Sequence, residues 1–294
     1  MDLPSLRQLE YVLAIAEHRH FTRAAEACCV SQPALSSQVA QLEEQLGVVL
    51  FERSRRGVHV TPAGERFLPS ARAAIAALET AVESARGAAE PLRGPLRLGV
   101  IPTIAPYLLP DALPRVRSAW PELELHLREE QTAVLLELLA QARLDVLLLA
   151  LPVSRDDIES VVLLTDEFVA CLPLGHPLAK RRSVKMDDLA DETVLLLEDG
   201  HCLRDQALSA CQVAGLQEQA DVRATSLHTL LYMVAGGLGV TLVPAMATRH
   251  LPADVVVVPF TKPRPGREIG LAWRAGSVRA EEYRLLGQSL RGEG

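Results

Sequence analysis

The stretch LLLEDGHCLRDQALSAC, residues 195–211, places two thiols among polar neighbours. Cys202 follows Gly200 and His201 at the expected start of a helix, and Cys211 lies nine positions on, near its far end. A cysteine at a helix N-terminus meets unpaired N–H groups and the positive end of the helix dipole. Both favour the thiolate and should lower its pKa, and His201 and Arg204 add donors or positive charge. The thiolate is the form of cysteine that attacks an oxidant, and a second thiol can condense with the sulfenic acid so formed. Cys211 follows Leu208 and Ala207 by three and four positions and precedes Ala214 by three, so it falls on an apolar helical stripe. The stretch therefore reads in two ways, as a redox switch or as two inert thiols of a core. Cys171, in FVACLPL, reads as core alone. The five cysteines and eight histidines form no group with the spacing of a metal site, and no metal or cofactor is expected.

Such chemistry needs a scaffold, and 294 residues suit two or three domains, each with its own core. From Leu96 onward the apolar runs LRLGVI, LELHLRE, DVLLLAL, FVACLPL, TVLLLE, VVVVPF and EIGLAWR alternate with helical segments such as 133–143 and 227–235. Strands buried on both faces and joined by helical crossovers imply an α/β domain. In such folds ligands settle at the C-terminal ends of strands, against helix N-termini. A span of about 200 residues is enough for two lobes.

The first sixty residues are of another kind. LRQLEYVLAIAEH puts Leu6, Leu9, Val12 or Leu13 and Ile15 or Ala16 on one face at helical spacing. FTRAAEACCV gives a shorter helix with Thr22 as N-cap. SQPALSSQVAQLEEQLG opens with Ser31 as N-cap, carries Pro33 in the first turn and closes at Gly47. FERSRRGVHVTPAG then reads as two short strands about a turn at Gly57. A tight junction between two helices, followed by a wing, is what a helix-turn-helix requires to lay its second helix in the major groove. Ser31, Gln32, Ser36, Ser37 and Gln38 would offer hydrogen-bonding groups to bases or phosphates, and Arg53, Arg55 and Arg56 would hold the adjacent backbone. The same pattern also suits a small helical bundle with a polar surface. Cys28, in the second helix, reads as a small core residue.

Thr61 and Pro62 begin a long helix running to about Ala88, in which Leu68, Ala71, Ile75, Leu78 and Val82 recur at alternating intervals of three and four, the period of a two-helix seam. The helix is expected to dimerise; the alternative is a helix lying on its own domain. GAAEPLRGP follows as a hinge over residues 89–95. Net charge is −7, which argues against a surface that holds nucleic acid without selectivity. Within residues 1–64 six arginines nearly balance seven acids, and three of them crowd into RSRR. Charged residues such as Glu137, Arg143 and Asp145 interrupt the apolar runs, so no segment is expected to span a membrane. The N-terminus lacks the pattern of a secretory leader, and the odd number of cysteines argues against a disulfide scaffold. The cytoplasm is the expected compartment.

The segment FTRAAEACCVSQPALSSQVAQLEEQLGVVLFERSRRGVHVTPAG, with its SQPALS and LFER words in register, resembles the winged helix-turn-helix of LysR-type transcriptional regulators. The resemblance continues to VAGGLGVTLVP near the end of the chain. It implies a DNA-binding domain over 1–61, among whose contact residues Thr22 and Pro33 also fall, and a dimerising linker helix over 62–88. It further implies a two-lobed regulatory domain, similar to periplasmic binding proteins, over 96–294, with lobe I at 96–164 and 268–294 and lobe II at 165–267. Double-stranded promoter DNA, a tetrameric assembly and RNA polymerase are the partners implied.

Within that family LEDGHCLRDQAL with a further cysteine nine residues on, GPLRLGVIPTIAPYLLP and EEQTAVLLELL are similar to the branch that senses hydrogen peroxide. That likeness implies peroxide oxidation of Cys202, a disulfide with Cys211 as resolving thiol, and a thiol system that reduces it afterwards. It places Thr103 and Thr132 beside the peroxide, with His201, Asp205 and Arg267 in support. Nine helical residues separate two Cα atoms by about 13 Å, whereas a disulfide tolerates at most roughly 7 Å, so this helix would unwind on oxidation. Two other readings remain: a regulator that binds a small organic effector between its lobes, and a thiol peroxidase or hydrolase built on His201 and Cys202. No turnover enzyme is expected.

Overall fold

The structure is a computed structural model that describes residues 3–54, 57–85, 91–200, 202–204, 206 and 218–291. Two compact units emerge, Met1–Pro91 with Ala140–Arg143, and Leu92–Leu139 with Leu144–Gly294.

The first unit opens with α1 (Leu6–His18), whose N-cap Ser5 and Gln8 form a reciprocal capping box. Helices α2 (Phe21–Ala27) and α3 (Gln32–Leu46) follow. Their apolar faces meet in one core of Tyr11, Val12, Ile15, Phe21, Ala24, Ala25, Leu35, Val39 and Leu42. The turn between α2 and α3 is tight. Cys29 takes a left-handed φ of 55° and the Val30 N–H donates to the Ala25 carbonyl at 3.0 Å. Ser31 caps α3 by accepting from the Ala34 N–H, and Gly47 ends the helix at φ 67°. The expectation for α2 is corrected: His20 is the N-cap, its Nδ1 accepting from the Thr22 N–H at 3.2 Å, and Thr22 is the second residue of the helix. The cap thus lies two residues earlier than expected, and a ring nitrogen rather than a threonine hydroxyl fills it.

Strands β1 (Phe51–Ser54) and β2 (Gly57–Val60) pair antiparallel, Ser54 opposite Gly57. The Glu43 carboxylate latches the wing to α3, accepting from the Leu50 and Phe51 N–H groups at 2.6 and 3.1 Å. Helix α4 (Pro62–Ala85) is capped by Thr61, whose hydroxyl accepts from the Gly64 N–H at 3.0 Å. Residues 86–88 of the expected helix lie outside the described residues.

In the second unit, β3 (Gly94–Val100) lies parallel to β4 (Leu123–Glu129) and β5 (Val146–Leu151). Helix α5 (Ala105–Ala119) joins β3 to β4, and α6 (Thr132–Ala140) joins β4 to β5. Every residue of β5 is buried, as its unbroken apolar run predicts. Strand β6 (Ile158–Pro173) is long enough to serve two cores. Its first part pairs antiparallel with β11 (Gly266–Arg274), and its last part lies between β9 (Thr241–Pro244) and β10 (Val255–Pro259). Strand β7 (Val194–Leu197) runs parallel to β8 (Glu218–Ala224), with α7 (Leu227–Ala235) following and α8 (Ala280–Arg291) closing the chain.

Two hydrophobic cores result. One gathers β3, β5, α5, α6, the later part of β11, and α8; the other gathers the end of β6 with β7, α7, β9 and β10. The expected hinge at 89–95 is shorter at its far end, because Gly94 and Pro95 already pair with β4 and Leu92 is buried in the first core. No helix among the described residues is long and apolar enough to cross a membrane.

Candidate functional site

Cys202 opens a helical turn at residues 202–204, just after β7 and the turn at Gly200. Gly200 has φ +93°, a backbone conformation that favours glycine, and a Cβ there would stand 2.5 Å from Oε1 at the flexible end of the Gln131 side chain. Two loops of the first core converge on the same place. Thr103 lies between β3 and α5, and Thr132 is the first residue of α6, so each sits past the C-terminal end of a parallel strand. Thr103, Thr132, Gln131, Gly200 and Cys202 line a narrow cavity with no room for a water-sized molecule as it stands. Cys202 is half-buried and packs against the first core. The Thr132 hydroxyl is buried with no hydrogen-bond partner among the described residues.

Behind Thr103 lies a buried ionic network. Arg267, the second residue of β11, stands directly opposite Asp166 of β6 in the antiparallel ladder. Each is only 3 % exposed. Arg267 donates from Nε to Asp166 Oδ2 at 3.1 Å, from Nη1 to Thr103 Oγ1 at 2.9 Å and from Nη2 to the Thr103 carbonyl at 3.0 Å. Asp166 Oδ1 accepts from the Met246 N–H at 3.1 Å. Burial lowers the Arg267 pKa and raises that of Asp166, while their mutual attraction opposes both shifts. An arginine keeps its charge in proteins, so the guanidinium is a fixed cation here and the carboxylate its counter-ion. A charge on Cys202 also stabilises Arg267. The attraction is mutual, so Arg267 favours the Cys202 thiolate.

Arg204 turns to Asp199, Nη1 to Oδ1 at 3.0 Å, and Arg223 meets the other oxygen of that carboxylate at 2.9 Å. His201, Asp205 and Cys211 lie outside the described residues. Sequence reasoning missed Asp166 and Gln131, while the turn at Gly200 before Cys202 was legible. The left-handed turn at Gly200 had a signal in the dipeptide DG; Asp166 had none, since its partner is 101 positions away. Cys171 is fully buried, as expected of a core thiol. Cys28 is half-buried at the edge of the first unit's core, and burial raises its pKa. Among the described residues no group of three or more His, Cys, Asp or Glu side chains could hold a metal ion.

In the first unit, Leu35, Val39 and Leu42 of α3 are buried while Ser31, Pro33 and Ser37 are exposed and Gln32, Ser36 and Gln38 half-buried, so the polar residues occupy the face away from the core. Thr22 is exposed on α2. Arg53 occupies a position in β1 opposite Val58; its side chain, and Arg55 and Arg56 entirely, lie outside the described residues. Along α4, Ala71 is buried, Leu68 and Ile75 are half-buried, and Leu78 and Val82 are 46 % and 44 % exposed.

Residues 6–65 match the family model of the bacterial regulatory helix-turn-helix protein, lysR family, and residues 89–294 match the LysR substrate binding domain. The chain is 45 % identical over 289 residues to the DNA-binding transcriptional dual regulator OxyR of Escherichia coli (strain K12), covering 98 % of this chain and 95 % of the relative. It is similar to a full-length OxyR variant from Pseudomonas aeruginosa, with a TM-score of 0.84 and 36 % identity over 98 % of both chains. A hydrogen-peroxide-bound mutant of Corynebacterium glutamicum OxyR matches with a TM-score of 0.69 and 39 % identity, over 99 % of this chain and 92 % of that one.

Proposed function

We propose, on the premise that this chain belongs to the LysR family of bacterial regulatory helix-turn-helix proteins, that it is a transcriptional regulator that senses hydrogen peroxide at Cys202. The observation that carries the reading is the cavity shared by Cys202, Thr103 and Thr132, with the Arg267 charge bearing on the sulfur. The cleft is closed even to a water-sized molecule as it stands, far short of the roughly 300 Å³ at which pockets for organic ligands begin, so a peroxide enters only as the side chains around Cys202 shift. The relative solved with hydrogen peroxide bound supports the same reading.

The Cys202 thiolate attacks one peroxide oxygen, the S–O bond forms as the O–O bond breaks, and the departing hydroxide takes a proton to leave as water. Sulfur is oxidised by two electrons and the peroxide is reduced. The Cys211 thiol then displaces the sulfenic oxygen as a second water, leaving a Cys202–Cys211 disulfide, with His201 and Asp205 in support. On the sequence expectation of one helix over 202–211, the two Cα atoms stand about 13 Å apart, so the disulfide would require the segment to refold, and that change would be the output. The lobes, at 96–164 with 268–294 and at 165–267, carry the change to the linker helix over 62–88. That helix joins subunits into a dimer that pairs into a tetramer on promoter DNA, where RNA polymerase is engaged. One peroxide is consumed per subunit in each cycle, and a cytoplasmic thiol system resets the switch.

The test treats reduced full-length protein with near-stoichiometric peroxide, maps the thiols by mass spectrometry and footprints a promoter. Loss of both Cys202 and Cys211 thiols together with an altered footprint is expected. If both thiols survive, or if a small organic effector alone changes the footprint, the reading fails.

A further inference from the structure

We propose that Asp166 is a positioning residue for Cys202: it grips one edge of the Arg267 guanidinium so that the other edge is fixed on Thr103 and the Thr103 hydroxyl hydrogen is turned toward the cavity. The proposal rests on the reading of Cys202 as the peroxide-reactive group. The carboxylate is itself anchored. Its Oδ1 is held by the Met246 N–H, while Oδ2 meets both Nε and Nη2 of Arg267 at 3.1 Å. With that edge engaged, Nη1 and Nη2 reach the Thr103 hydroxyl and carbonyl.

A hydroxyl has one hydrogen, and a guanidinium has only donors. Because Thr103 Oγ1 accepts from Arg267, its own hydrogen must find an acceptor elsewhere, and the cavity it shares with Cys202 is where acceptors arrive. When a thiolate attacks a peroxide, negative charge grows on the departing oxygen. A donor already aimed at that oxygen stabilises the transition state more than the ground state.

Asp166 has a second, opposite effect. Among the described residues the groups that act on Arg267 are Asp166, Cys202 and Tyr107, and Asp166 carries the buried ion pair. While the carboxylate is present it damps the Arg267 field at the sulfur. Without it, a Cys202 thiolate is the remaining anion among the described residues that acts on Arg267 at neutral pH. Loss of Asp166 therefore makes the thiol more acidic while spoiling the aim of Thr103. A merely structural role would move every reaction of Cys202 in the same direction.

The experiment compares full-length wild type with Asp166→Asn and Asp166→Glu, measuring the rates at which Cys202 reacts with hydrogen peroxide and with iodoacetamide at neutral pH, each followed on the Cys202 peptide by mass spectrometry. In Asp166→Asn the alkylation rate should rise about tenfold, the effect of one pKa unit on the thiolate fraction. The ratio of the peroxide rate to the alkylation rate, in which the thiolate fraction cancels, should fall about tenfold, the loss of one well-aimed hydrogen bond. Asp166→Glu keeps the charge but displaces it, so alkylation should stay near the wild-type rate while the ratio still falls. This variant carries the test alone should circular dichroism show the Asn variant unfolded. An unchanged ratio in Asp166→Glu, or slower alkylation in a folded Asp166→Asn, overturns the proposal. A wild-type Cys202 inert to peroxide would instead overturn the reading beneath it, before any variant is compared.

Discussion

Cys202 and Cys171 are the same residue type in opposite surroundings. Cys202 is half-buried within the field of a fixed cation, while Cys171 is enclosed by the second core, where burial pushes its thiol up to about 12. Because the folded pKa of Cys171 lies above the ordinary 9.0, the folded state holds that proton more tightly than the unfolded chain. Its contribution to stability is therefore intact at neutral pH and is lost as the pH rises from 9.0 toward about 12. Iodoacetamide near pH 8 should label Cys202 and spare Cys171 until denaturant is added, and Cys171→Ala should flatten the alkaline fall of the urea midpoint. Equal labelling of the two thiols in the folded protein would contradict the burial argument. At this scale the sequence was informative about residues whose neighbours are close in the chain. Gly200 and Cys202 announce themselves by adjacency, whereas Asp166 acquires its partner only through the register of β6 against β11.

Helices and strands were legible where one period dominates. The all-apolar β5 and β7, the capped α3, and α4 with its Thr-Pro start are visible as patterns. Others were masked by mixed signals. Helix α5 carries Pro106 in its first turn but Pro110 and Pro114 inside it, and proline argues against a helix interior, yet the helix persists because its face of Ala105, Leu108, Leu109, Ala112 and Val116 is buried. Strand β6 begins at Ile158, ten residues before the apolar run that betrays it, because its first part alternates in exposure. In α4 the spacing is regular but the burial is not. The early seam residues are covered within the chain, while Leu78 and Val82 remain exposed on a regular stripe. A second copy of the helix would cover them. Leu78→Asp with Val82→Asp should convert a dimer to monomer in sedimentation velocity while leaving the far-ultraviolet spectrum unchanged. A double variant that still sediments as a dimer would place the subunit contact elsewhere.

The whole molecule carries a net charge of −7, so any hold on DNA must come from a local set of contacts rather than a general field. Arg53, on the wing strand β1, is the position at which that can be measured. Replacing it with alanine should weaken binding to many sequences alike and reduce the slope of affinity against salt by about one unit. Loss confined to a single base position, by competition with point-mutated operators, would mean that Arg53 reads bases instead. At the same scale, the strand pairing has a consequence for how the chain is made. The second core is built from residues between Phe168 and Phe260, whereas the first waits for Ile269 to Leu290 at the far end of the chain. During synthesis the inner half therefore leaves the ribosome complete while the outer half still lacks its last strand and helix. The half that carries Cys202 can settle first, and the half that carries Thr103 closes around it.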